Sequence, residues 1–132
     1  MIRVFVYGTL KPGEANFLSV CGCYAIALTP AMIRGCLYHL PLGYPAVTEG
    51  KDWVQGVLLS FYSAQLLAAL DELEDYYSDR LPQANEYQRQ LRPAFTPNHQ
   101  PLGKAWVYLM LPEQVQQFRG EYRPSGFWSS SE

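Results

Sequence analysis

The sequence predicts an α+β fold: a small, mostly antiparallel β-barrel or curled sheet with one main helix and short flanking helices. Three observations predict it. Ten prolines and ten glycines cut the chain into short segments rich in β-branched and aromatic residues, which suit a pleated, half-buried surface better than long helices. Ser63 to Glu74, in contrast, is dense in strong helix formers. At 132 residues the chain would give two domains undersized cores, so a single domain is expected over residues 1–128, with Ser129 to Glu132 as a flexible tail.

The elements follow in order. Ile2 to Tyr7 reads as a strand, and Gly8-Thr9-Leu10-Lys11-Pro12-Gly13 after it as a loop able to expose backbone amides. Further strands are expected at Met32 to Leu40, Trp53 to Phe61, Tyr87 to Pro93 and Lys104 to Leu111. Ser63 is a plausible N-cap for the helix. At about 100° per residue, Leu66, Leu70, Leu73 and Tyr77 fall within about 40° of one another, an apolar stripe for the core. A second, shorter helical turn is expected at Glu113 to Phe118.

Composition narrows the function. Ten Lys and Arg against twelve Asp and Glu give a net charge of -2, which is no footprint for a polyanion, so nucleic acid is not expected as a partner. No apolar run is long enough to span a bilayer and the N-terminus has no signal-peptide pattern, so neither a membrane nor export is expected and the chain is placed in the cytoplasm. Cys21, Cys23 and Cys36 are odd in number and wrongly spaced for a disulfide framework or a four-ligand zinc site, and are read as reduced thiols. His39 and His99 have no partner at ligand spacing, so no metal and no cofactor is expected. Trp53, Trp106 and Trp128 are assigned to the core or to capping it.

One carboxylate sits in an unusual place. On the helical wheel Glu74 falls at about 80° from Leu66, between Leu70 at about 40° and Leu67 at about 100°, whereas Asp71, Glu72 and Asp75 project to the other side. Asp71 and Glu72 are therefore expected to tolerate amide substitution. Glu74 also lies in the last helical turn, where the helix dipole is negative, so position and burial both oppose its ionisation. A glutamate with a raised pKa suits general acid/base chemistry. The other reading is that Glu74 reaches water or pairs with Arg80 or Arg89 and only ends the helix.

Several segments together carry a family resemblance. Val4-Phe5-Val6-Tyr7-Gly8-Thr9-Leu10, Gly43-Tyr44-Pro45-Ala46-Val47, Gln55-Gly56-Val57-Leu58, Leu70-Asp71-Glu72-Leu73-Glu74-Asp75-Tyr76, Glu86-Tyr87-Gln88-Arg89 and Ala105-Trp106-Val107-Tyr108 occur in the order of the gamma-glutamylcyclotransferase-like family. The chain resembles that family, in its gamma-glutamylamine cyclotransferase-like branch, over roughly residues 2 to 110. It departs where Gln55-Gly56-Val57-Leu58 replaces the usual Gly-Glu-Val-Tyr and where Asp75 replaces the common glycine.

The resemblance implies a cavity in which the loop after the first strand faces Glu74. It implies cleavage of a γ-glutamyl amide by its own α-amine, releasing 5-oxoproline and a free amine or amino acid, with Glu74 as base and then acid. Such an intramolecular acyl transfer needs no enzyme nucleophile. Gly8, Thr9 and Leu10 are candidate amide donors to the developing oxyanion. Tyr7, Tyr44 and Tyr108 join the expected substrate-binding set, Pro45 stands beside Tyr44 as pocket wall, and Arg89 is read as a structural ion-pair partner. Phe17 to Thr29 and Ser78 to Glu86 match the family least and are assigned to leaving-group selection. The partner expected is a small γ-glutamyl molecule and the protein a monomer. The competing reading is a non-catalytic or regulatory module that binds a small carboxylate in the same pocket.

Overall fold

The computed structural model describes residues 1–11, 13–14 and 26–130. Its centre is strand β1 (Ile2–Val6). Val4 and Val6 enter one core with Leu59, Phe61, Leu66, Leu70 and Met110, whereas Phe5 enters a second with Ile33, Val54, Val107 and Trp128. A strand buried on both faces must read as a continuous apolar run, which is what Val4-Phe5-Val6-Tyr7 is.

Around it lie β2 (Ala27–His39), β3 (Pro45–Phe61), β4 (Gln88–Phe95), β5 (Pro101–Leu109) and a short β6 (Glu121–Tyr122). β1 runs antiparallel to β3, from Ile2 opposite Phe61 to Val6 opposite Val57, and parallel to β5. The strand order is β3-β1-β5-β4-β2-β6, and β2 also pairs with β3. The sheet therefore curls round on itself, the curled-sheet form of the expected fold and not a true barrel. β1–β5 and β2–β4 meet at one residue pair each, Val4 with Trp106 and Met32 with Phe95. The strands are also unequal in length, 13 and 17 residues in the β2–β3 ribbon against 5 in β1, so the ribbon extends beyond β1.

Each expected strand is present with shifted ends. β2 starts earlier than Met32, and Trp53 to Phe61 is only the second half of β3. The polar stretch Glu49-Gly50-Lys51 hid the first half. It is looped out of register, with Gly35 opposite Asp52 and Cys36 opposite Thr48, and the ladder resumes beyond it. β6 and a 3₁₀ turn at Pro82–Ala84 were not anticipated. Both are too short to carry a periodic signal.

The main helix, α1 (Ala64–Leu73), begins as expected: the Leu66 N–H donates to Ser63 Oγ at 3.1 Å. The apolar stripe is shorter than expected. Leu66 and Leu70 are buried, whereas Leu73 is 44% and Tyr77 39% exposed. The helix stops at Leu73 because Asp75 adopts φ 54°, with Tyr76 N–H donating to Asp71 O at 2.9 Å and Asp75 N–H to Glu72 O at 3.2 Å. This is a Schellman ending, and it takes Tyr77 off the helical lattice. The second helix, α2 (Pro112–Gln117), lies one residue from its expected place.

At the left-handed backbone of Asp75 glycine would carry no steric penalty, and this generates a stability test. Asp75→Gly should leave the midpoint of urea unfolding close to wild type, because relief of the left-handed strain offsets loss of a surface ion pair. Asp75→Val, with its branched Cβ in a left-handed conformation, should cost about 1–2 kcal/mol by the same measurement.

Candidate active site

The ending of α1 puts Glu74 in the C-cap position, where its side chain turns to a cavity of about 190 Å³. Glycine is needed twice to build the wall. Gly43, with φ 97°, closes the turn in which Gly43 N–H donates to Leu40 O at 3.0 Å, and this delivers Tyr44 to the cavity. Gly8 passes so close to Pro45 that a Cβ there would lie 2.6 Å from Pro45 Cγ. Gly8 to Lys11 closes as a turn through Lys11 N–H to Gly8 O at 3.0 Å, so Thr9 and Leu10 are its central residues.

All seven residues singled out from the sequence, Tyr7, Gly8, Thr9, Leu10, Tyr44, Glu74 and Tyr108, line this one cavity. Pro45 joins them, with Phe5, Val6, Leu73, Glu86 and Tyr87. From the sequence Glu86 is assigned only as the last residue of the 78–86 segment given to leaving-group selection, and Tyr87 only as the start of a strand. The signal that could have found Glu86 is its place at the end of the divergent Ser78 to Glu86 segment, next to a buried tyrosine.

Hydroxyl bookkeeping around the cavity is informative. Tyr7 donates to the Tyr108 carbonyl at 2.5 Å, Tyr108 to Asp71 Oδ1 at 2.7 Å, Tyr87 to the Pro45 carbonyl at 2.6 Å, and Tyr44 to Glu86 Oε1 at 2.5 Å. Each phenol thus has an acceptor other than Glu74. Burial raises the pKa of Tyr7, Tyr44, Tyr87 and Tyr108 well above that of a free phenol, and the Glu74 charge adds to each, so all four remain protonated.

Glu74 stands apart. Among the described residues its carboxyl accepts no hydrogen bond and joins no ion pair, because Arg80 pairs with Asp75 at 3.0 Å and Arg89 with Asp71 at 2.9 Å. The reading in which Arg80 or Arg89 neutralises Glu74 is therefore corrected. Arg89 is an ion-pair partner, stacked over Trp106 at 4.5 Å. The residue keeps some solvent contact, yet its carboxyl is almost enclosed; burial pushes its pKa up to about 8, with the Glu86 charge as the second cause.

Asp71 also departs from expectation. It does not point idly away from the site but receives both the Tyr108 hydroxyl and the Arg89 guanidinium, tying α1 to β4 and β5. The helical wheel could not show this, because its partners are 18 and 37 residues away in sequence. Asp75 turns to Arg80 and does not line the cavity.

Of the remaining candidates, Cys36 is a free, half-buried thiol, while Cys21 and Cys23 and most of Phe17 to Thr29 lie outside the described residues. His39 Nδ1 accepts from Trp128 Nε1 at 3.0 Å, and His99 stacks on Trp53 at a centroid distance of 4.0 Å. Trp128 is buried, whereas Trp53 and Trp106 are half-buried. Among the described residues no three His, Cys, Asp or Glu side chains converge on a metal position, and no helix is long and apolar enough to cross a membrane.

Comparison with known proteins bears on this site. Residues 4–130 match the family model described as gamma-glutamyl cyclotransferase, AIG2-like. A Vibrio cholerae protein named "Putative gamma-glutamylcyclotransferase" is 32% identical over 106 residues, 80% of this chain and 79% of its own. The crystal structure of an AIG2-like protein from Mus musculus superposes with a TM-score of 0.72 at 23% identity, covering 100% of this chain and 90% of that one. The solution structure of protein ytfP from Escherichia coli, 29% identical, gives 0.54 with 96% of both chains covered.

Two outcomes follow from the environment of the acids. A carboxyl with a pKa near 8 in the folded state and 4.5 when free stabilises the fold below about pH 4.5, and that contribution is lost as pH rises to about 8. Thermal unfolding should therefore show Glu74→Gln gaining on wild type from about pH 5 to about pH 8, by something on the order of a few kcal/mol. Asp71→Ala, which strands the Tyr108 hydroxyl and the Arg89 guanidinium, should cost about 2–4 kcal/mol in denaturant titration. Glu72→Gln should change little.

Proposed function

The chain belongs to the gamma-glutamyl cyclotransferase, AIG2-like family, and from that premise we propose that it cyclises γ-glutamyl amides to 5-oxoproline with Glu74 as general base and then acid. Membership supports cyclotransferase activity in general. The observation that carries the finer reading is the enclosed Glu74 carboxyl, which faces the Tyr7–Leu10 wall with no protein partner among the described residues.

The reaction is an acyl transfer within one substrate. The α-ammonium gives a proton to Glu74, and the freed lone pair attacks the γ-carbonyl carbon, so a ring N–C bond forms while the carbonyl electron pair moves to oxygen. When that pair returns, the C–N bond to the leaving amine breaks and Glu74 delivers its proton to the departing nitrogen. Glu74, again a carboxylate, takes the second proton of the ring nitrogen and passes it to the amine, which leaves as an ammonium. A base of pKa near 8 is well placed to take and return one proton near neutrality. Attacking and attacked atoms share one chain, so the protein has only to hold the folded-back conformer.

The Gly8–Leu10 wall is assigned to the oxyanion and to the substrate's carboxylate, for which backbone amides suit best because the lining includes no Lys, Arg or His among the described residues. The phenols serve as walls: each hydroxyl is already engaged, and none competes for the Glu74 proton.

The test is 5-oxoproline release by the purified protein from γ-glutamyl amino acids, glutathione, γ-glutamyl amines and ε-(γ-glutamyl)-lysine. Release is expected from at least one class, and Glu74→Gln should lower it by at least about 10²-fold while the protein stays folded. The acid limb of kcat/KM in the wild type should fall near pH 8, with activity declining below it as Glu74 protonates. Wild-type rates in the Glu74→Gln variant would remove Glu74 from the mechanism.

A further inference from the structure

The mechanism leaves one cavity group unused. Glu86 lines the cavity with Glu74, keeps partial solvent contact, and is the second acid of a wall that includes no basic side chain among the described residues. Its placement is fixed by several bonds. Glu86 N–H donates to Asp75 O at 3.2 Å, just beyond the end of α1. The Asn85 side chain accepts from Tyr77 N–H at 3.1 Å and donates to Tyr77 O at 3.2 Å, and Gln114 Nε2 donates to Asn85 O at 2.7 Å. The Tyr44 hydroxyl then holds Oε1. Among the described residues nothing else donates to Glu86, so Oε2 has no protein donor, in a residue that lines the same cavity as the enclosed, unpaired Glu74 carboxyl.

Two fixed carboxyls without a counter-ion repel one another, and a polar cavity built this way is satisfied by a cation with several N–H donors. An ammonium has three. We propose that Glu86 is the ammonium-binding residue of this site: its Oε2 accepts one N–H of the substrate's α-ammonium and holds that nitrogen against Glu74. This deepens the cyclotransferase reading and rests on it for the identity of the ligand. Tyr44 is a positioning residue, fixing which carboxylate oxygen turns to the cavity. No bond is made or broken at Glu86. The proton passes to Glu74, and Glu86 only accepts a hydrogen bond. Glu86 also favours the cation before it reacts, so its effect belongs mainly in KM, whereas that of Glu74 belongs in kcat.

The test compares two probes that differ only in the α-amino group: an N-alkyl γ-glutamyl amide and the matching N-alkyl monoamide of glutaric acid. Titration calorimetry is run in the Glu74→Gln background, where no base consumes the probe, with and without Glu86→Gln. The amino-bearing probe should bind more tightly than its amino-lacking partner, and Glu86→Gln should erase about 10- to 100-fold of that preference, the range of a charge-assisted hydrogen bond, while leaving the glutaric monoamide unchanged. Tyr44→Phe, which keeps the ring and the acid, should lose several-fold in the same direction, and it guards against a Glu86 variant that fails to fold. An unchanged preference, or equal weakening of both probes, overturns the proposal. Because the readout is binding and not 5-oxoproline release, a chain that discriminates the probes but turns over no γ-glutamyl amide would refute the cyclotransferase reading and keep the ammonium site.

Discussion

An enclosed carboxyl without a protein partner is the constraint on which the site turns. Burying such a group in its charged form is costly, and proteins usually meet that cost with a cation or with several N–H donors. Here neither is supplied to Glu74 by the described residues, although two arginines lie close in sequence. Arg80 is taken by Asp75 and Arg89 by Asp71, so both nearby cations are held by acids whose own positions are structural. The carboxyl keeps its proton to about pH 8 in consequence. A group that holds a proton so near neutrality can both give and take one.

The surroundings are arranged so that this holds. β1 is buried on both faces and carries Tyr7 directly into the turn at Gly8–Lys11, so the loop facing Glu74 starts from a strand whose side chains enter both cores. Four phenols surround the acid, and each hydroxyl is tied to another acceptor. The Asp71 link from α1 to Tyr108 and Arg89 fixes the last turn of the helix, and the Schellman ending fixes the backbone just after Glu74. Glu74 is thus held from both sides by backbone and neighbours while its own carboxyl stays open to the cavity.

Departures from the family pattern acquire a physical meaning in this frame. Asp75 occupies a left-handed position at which glycine carries no steric penalty, and its carboxylate turns outward to Arg80 instead of toward Glu74. The replacement therefore affects the helix ending and not the cavity wall. The divergent 78–86 segment differs in kind, since it ends on a cavity residue and is pinned by the Asn85 side chain to the backbone at Tyr77.

By itself the sequence determined the α+β class, the capped helix, five of the strands, and the odd placement of Glu74 on an apolar flank. These are local or periodic signals: a Ser63 cap, a 3.6-residue repeat, runs of β-branched residues. The family resemblance added the Tyr7–Leu10 loop, Tyr44 and Tyr108, which the structure brings to one cavity. Only the tertiary structure decided what those signals could not reach. It ended α1 early through the left-handed Asp75, and curled the sheet so that β1–β5 and β2–β4 meet at one residue pair each. It also gave Asp71 to Tyr108 and Arg89, and set Glu86 in the cavity with Glu74. Each of these depends on which chain segments meet across long sequence separations, and burial and pairing at such contacts have no period for a sequence to display.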